Sequence, residues 1–102
     1  MSEFVKVMAA ADLAAGSCRE VLAGGQAIAI CNAEGTFFAI GNRCSHRGGP
    51  LGQGFLDGHV VMCPWHAWTY DVTTGVSTVN PDISVARYEV KVEDGQVWVK
   101  VD

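Results

Sequence analysis

Two short segments, Cys44-Ser45-His46 and Cys63-Pro64-Trp65-His66, each pair one thiol with one imidazole, and any fold of this chain has to accommodate both. The first lies in the stretch from Gly41 to Gly58, which is rich in glycine and shows little alternation. That stretch reads as a long structured loop, and loops of such length in a compact domain are either functional or disordered. Embedded Cys and His favour function. If the second segment sits at the end of a strand, two loop tips can converge and bring donors of types S, N, S and N to one site.

Outside that loop the apolar residues recur mostly with period two, in short runs punctuated by Gly, Asn and Asp, so the fold is mainly β. Strands are expected at Phe4 to Met8, Cys18 to Leu22, Gln26 to Cys31, Thr36 to Ile40, His59 to Met62, Trp68 to Tyr70, Ser84 to Val92 and Gln96 to Val101. Gly24-Gly25 closes one run, Asn32 to Gly35 is a connection of hairpin length, Asp57-Gly58 is a tight turn, Asp71 to Gly75 is a turn, and Glu93 to Gly95 joins a closing hairpin. Ala9 to Ala15 has room for one helical turn at most. The 102 residues suit a single domain spanning 1–102, with the loops of interest within about 41–75.

Composition excludes several classes. At 49% hydrophobic and 18% charged, the chain has the material for a core and is not disordered. Its longest clean apolar run, Ala27 to Cys31, is of strand length, far short of the roughly 18 to 20 residues that cross a bilayer. Seven basic residues against eleven acidic ones give a net charge of −4, which argues against nucleic acid as a partner. The first residues lack the basic and apolar regions of a secretory signal, so a cytoplasmic location is expected, and with it four cysteines used as metal ligands and buried thiols rather than disulfides.

Two Cys and two His suit either a tetrahedral zinc or a [2Fe–2S] cluster with two Cys on one iron and two His on the other. Zinc fingers pair Cys with Cys and His with His, so that each half wraps one ion. Here each segment offers one residue of each kind, as two metals held between two loops would require.

The pattern Cys-x-His, fifteen to seventeen residues, Cys-x-x-His resembles that of the Rieske-type ferredoxins, and the likeness continues through Gly48-Gly49-Pro50-Leu51, Trp68, Tyr70, Asp71 and Gly75. It implies a Rieske-like fold of antiparallel β-sheets with a two-loop cluster-binding subdomain. It implies one [2Fe–2S] cluster per chain, with Cys44 and Cys63 on one iron and His46 and His66 on the other. Around it, Gly48, Gly49, Gly52 and Gly54 are expected to let the loop bend and aim N–H groups at sulfur, while Pro50 and Pro64 stiffen the loops. The Tyr70 hydroxyl stands where the family donates to a cysteine sulfur, and Trp65 either shields the cluster, meets a partner or simply packs in its loop.

High-potential relatives in respiratory and photosynthetic membranes place an extra Cys in each loop and a Ser two residues after the last His. This chain has Gly49, Trp65 and Trp68 there, so its potential is expected in the lower part of the range of roughly −150 to +300 mV. Ala67 replaces a Gly common among relatives. Reduction adds negative charge beside two imidazoles, so the potential is expected to vary with pH; a value flat from neutral to strongly alkaline pH would contradict that.

The resemblance implies a one-electron carrier, not itself an enzyme, that passes electrons from a flavin-dependent reductase to a terminal ring-hydroxylating oxygenase, with Arg43 and Arg47 either solvated or in the docking surface. Two alternatives stand beside it: the small Rieske subunit of an assimilatory nitrite reductase, and a zinc-stabilised structural or interaction module. Cys18 and Cys31 read as small buried hydrophobes, His59 as an exposed strand residue, and Trp98 with Val97 to Val101 as core or sheet face.

Overall fold

The computed structural model describes residues 3–42, 50–64 and 68–101. Among these the chain forms ten strands and no α-helix: β1 Glu3–Ala9, β2 Ser17–Ala23, β3 Gln26–Ala33, β4 Thr36–Gly41, β5 Phe55–Asp57, β6 Val60–Met62, β7 Thr69–Asp71, β8 Arg87–Tyr88, β9 Val90–Glu93 and β10 Gln96–Val101. Single 3₁₀ turns at Ala10–Asp12 and Leu51–Gln53 link them. Three antiparallel sheets result, ordered β1-β10-β9, β2-β3-β4-β8 and β5-β6-β7.

The middle sheet explains the apolar run of β3. Because side chains alternate across a strand, Ile28 and Ile30 face one core, with Val97, Val99, Val101, Met8 and Ala39, while Ala29, Cys31 and Ala33 face a second. That second core is built from Ile40, Leu51, Val61, Cys63, Tyr70 and Val72, so it joins the middle sheet to β5-β6-β7. A strand covered on both faces has no polar face, which is why six consecutive residues from Ile28 to Ala33 are buried. Small side chains on the second face let the β5-β6-β7 sheet approach closely. In β10, Val97, Val99 and Val101 point inward and Trp98 lies on the opposite face, where Lys91 Nζ sits 4.6 Å from the Phe4 ring and 5.6 Å from the Trp98 ring.

Turn chemistry sets the registers. Ala23 pairs with Gln26 around Gly24-Gly25, Ala33 with Thr36 around Glu34-Gly35, and Glu93 with Gln96 around Asp94-Gly95. In all three both central residues have positive φ, the two-residue hairpin geometry that matches strand twist.

Three expectations are corrected. Asn32 and Ala33 belong to β3 rather than to the connection, and Asn32 is buried, donating through Nδ2 to Leu13 O at 2.8 Å and accepting from Gly35 N–H at 2.8 Å. Asp57 pairs with Val60, so the turn is Gly58-His59, and His59 lies in it, exposed, edge-on to Phe38 at 6.0 Å. The run from Ser84 to Val92 is not one strand. Ser84 forms an isolated bridge with Val76, β8 joins the middle sheet and β9 joins β10. The residues show why: Ile83 and Val85 pack on the second core, Tyr88 and Val90 on the first, so the inward parity changes between Val85 and Tyr88 as the chain passes from one core to the other.

Candidate metal centre

Of the expected ligands, Cys63 lies within the described residues, and Cys44, His46 and His66 lie outside them, as do Gly48, Gly49, Trp65, Arg43, Arg47 and Ala67. Cys63 follows β6 directly. Its thiol-bearing residue is 1% exposed, in the same core as Leu51, Val61 and Tyr70. Its N–H donates to Trp68 O at 2.7 Å, tying the residue after β6 to the residue before β7.

The stem of the other loop is clamped by Asn42, which is buried. Leu51 N–H donates to Asn42 O at 2.6 Å, and Gly52 N–H donates to Asn42 Oδ1 at 2.7 Å. Asn42 Nδ2 donates to Glu20 Oε2 on β2. One side chain therefore ties the entry of the loop to its exit and both to the middle sheet. No sequence pattern marked Asn42, because its partners are 10 and 22 residues away and appear only when the sheets pack. Replacing Asn42 by Ala leaves the Gly52 N–H buried without its acceptor; we expect a loss of about 1 to 3 kcal/mol, measured by chemical denaturation.

Gly52 and Gly54 are needed for a reason other than the one expected. Their N–H groups go to Asn42 Oδ1 and Leu51 O, not to sulfur. What they supply is close approach: a Cβ on Gly52 would lie 2.7 Å from Glu20 N, and one on Gly54 would lie 2.1 Å from Met62 O. The backbone leaving the first loop thus touches the backbone entering the second.

The sheet β5-β6-β7 completes the convergence. Phe55 pairs with Met62 and Met62 with Thr69, so the start of β5, the end of β6 and the start of β7 lie at one edge. Gly54, Cys63 and Trp68, which adjoin that edge in sequence, flank the exit of the first segment and the two ends of the second. Pro50 immediately precedes the Leu51–Gln53 turn, and Pro64 follows Cys63, exposed. Beyond β7, Asp71 Oδ1 accepts from Thr73 N–H at 2.9 Å and Thr73 Oγ1 at 2.6 Å, and Gly75 N–H donates to Asp71 O at 2.7 Å, forming the expected turn. Tyr70 is fully buried on β7 in the same core as Cys63.

This frame fits a two-loop metal cluster. A thiolate buried among aliphatic side chains is costly unless a cation compensates it, and Cys63 stands in such a place. Among the described residues no group of three or more His, Cys, Asp or Glu donors forms, three of the four expected donors lying outside them. Residues 3–92 match the Rieske [2Fe–2S] domain. The chain belongs to that family. The Rieske cofactor is a [2Fe–2S] cluster, so the zinc alternative falls away.

Among relatives, ferredoxin CarAc of Metapseudomonas resinovorans is 35% identical over 98 residues, covering 94% of this chain and 92% of that protein. Human apoptosis-inducing factor 3 is 36% identical over 90 residues, but the chain spans only 15% of its length. A chain in the solved complex of reduced oxygenase and oxidised ferredoxin in carbazole 1,9a-dioxygenase superposes with a TM-score of 0.86 at 34% identity, covering 94% of this chain and 91% of that one. A nitrite reductase small subunit from Mycobacterium tuberculosis shares the fold, with a TM-score of 0.91 at 22% identity.

Proposed function

We propose that this Rieske ferredoxin carries single electrons from a flavin-dependent reductase to the terminal component of a ring-hydroxylating oxygenase system. The observation that carries the reading is the likeness to ferredoxin CarAc over nearly the whole of both chains. The likeness to a chain of an oxygenase and ferredoxin complex supports the same partner class. The chemistry on substrate belongs to the partner.

We assign Cys44 and Cys63 as the thiolate ligands and His46 and His66 as the imidazole ligands, within a cluster-binding part of about 41–75. When bound, the cluster supplies reversible storage of one electron. The protein's part is to hold it between two stems that meet at one sheet edge and to exclude water from its thiolate side, where Cys63, Leu51 and Tyr70 are fully or almost fully buried. No helix among the described residues is long and apolar enough to cross a membrane. We place the carrier in the cytoplasm, a reading supported by the likeness to ferredoxin CarAc.

The test is reconstitution. With a flavoprotein reductase, NADH and a ring-hydroxylating oxygenase, product formation should rise in proportion to added ferredoxin; reduction by the flavoprotein without reoxidation by any such oxygenase would overturn the reading. Tyr70 gives a finer check. If its hydroxyl donates to a ligand sulfur, the bond is stronger in the reduced state, and losing a difference of about 1 kcal/mol in Tyr70→Phe lowers the one-electron potential by about 40 mV, measured by redox titration.

A further inference from the structure

Cys18 and Cys31 are thirteen positions apart in sequence and directly opposite in space. Each stands six residues from the Gly24-Gly25 turn, so the hairpin brings them face to face, and their sulfurs lie 3.0 Å apart. The closing pair of a two-residue hairpin exchanges backbone hydrogen bonds, and the pairs alternate from there. Counting back from Ala23 and Gln26, Cys18 and Cys31 form a pair that does not exchange them. Such pairs have Cα atoms about 4.5 Å apart, within the span of about 4.4 to 6.8 Å that a disulfide bridges.

We propose that Cys18 and Cys31 form a reversible dithiol and disulfide couple, oxidised by low-molecular-weight disulfides and restored by dithiol reductants. The two sulfurs are unequal in a way that orders the steps. Cys18 is half-buried on β2, an edge strand of its sheet, whereas Cys31 is fully buried on β3. A thiolate on Cys18 accepts a hydrogen bond from the Cys31 thiol, which holds Cys18 below the ordinary thiol range against the opposing effect of burial. The same bond, with burial and the neighbouring charge, holds the Cys31 proton on. Cys18 is therefore the attacking group.

Its thiolate displaces one sulfur of a disulfide RSSR, forming a mixed disulfide on Cys18 and releasing RS⁻. The Cys31 sulfur then attacks the Cys18 sulfur, its proton passing to solvent, and the second RS⁻ leaves. Two protein thiols are oxidised by two electrons and RSSR is reduced to two RSH. Closing the bond draws the sulfurs about 1 Å nearer, to about 2.05 Å. Cys31 belongs to the same core as Cys63 and Tyr70.

The test uses the cluster-loaded protein in buffers of oxidised and reduced glutathione, followed by denaturing alkylation and peptide mass mapping, with cluster absorbance as an internal control. The expected result in oxidised glutathione is a crosslinked peptide pair containing Cys18 and Cys31, two hydrogens lighter than the thiols, with absorbance unchanged and full reversal by dithiothreitol. Cys31→Ala should instead accumulate the Cys18 mixed disulfide with glutathione, and Cys18→Ala should leave Cys31 alkylated as a free thiol. Both thiols staying free in the unaltered protein, or Cys18 stopping at the mixed disulfide while Cys31 stays free, would overturn the proposal whether or not the ferredoxin reading holds.

Discussion

Cys63→Ala is expected to give a colourless protein without bound iron or acid-labile sulfide, and electron delivery to an oxygenase below about one hundredth of the unaltered level, since even partners of metal ligands cost 10- to 100-fold when removed. The β-sheet signal in circular dichroism should persist. Cys63 lies at the end of β6, its N–H bond to Trp68 O is made by the backbone, and Ala suits an apolar core that already contains Ala29 and Ala33. Iron quantitation alongside circular dichroism separates a lost ligand from a lost fold. A variant that keeps its iron and sulfide would remove Cys63 from the ligand set.

The second large effect comes from a residue with no side chain. Gly54→Ala would put a methyl group 2.1 Å from Met62 O, and the obstacle is backbone rather than the end of a flexible side chain. Relief requires parting the stems of the two loops, so the loss is expected to be about 3 kcal/mol or more, with Tm lower by about 10 to 20 °C. Gly95 provides the contrast. A Cβ there meets nothing within 4 Å, and only its φ of +75° opposes substitution, so Gly95→Ala should cost about 1 kcal/mol. Thermal denaturation of both variants decides whether close approach of the stems matters more than a positive φ.

Much of this was legible in the sequence, and the limits have physical causes. Period-two runs separated by Gly and Asp gave the strands on either side of Gly24-Gly25 and Asp94-Gly95, because local turn geometry alone fixes those registers. The strand expected over Ser84 to Val92 failed because one run serves two cores: the shift from Ile83 and Val85 to Tyr88 and Val90 is visible only once the destination of each face is known. His59 was placed one position out for a related reason, since Asp57-Gly58 and Gly58-His59 are both acceptable turns and pairing of Asp57 with Val60 chooses between them.

At the proposed metal centre, the candidate donors come from the sequence because metal chemistry restricts residue type and spacing so strongly. The clamp is not. Asn42 matters through Glu20 and Gly52, contacts made by tertiary packing that no local pattern encodes. Cys18 and Cys31 fall between these cases. Each alone reads as a small buried hydrophobe, yet their equal distance from a two-residue turn already predicts a facing pair.

The central claim, that two Cys and two His hold one cluster for single-electron transfer, is tested most directly by electron paramagnetic resonance of the purified protein after dithionite reduction. The account predicts a rhombic signal whose average g lies below that of clusters held by four cysteines, integrating to one spin per chain. A silent, colourless sample with one zinc per chain would contradict it and leave Cys44, His46, Cys63 and His66 as a structural site.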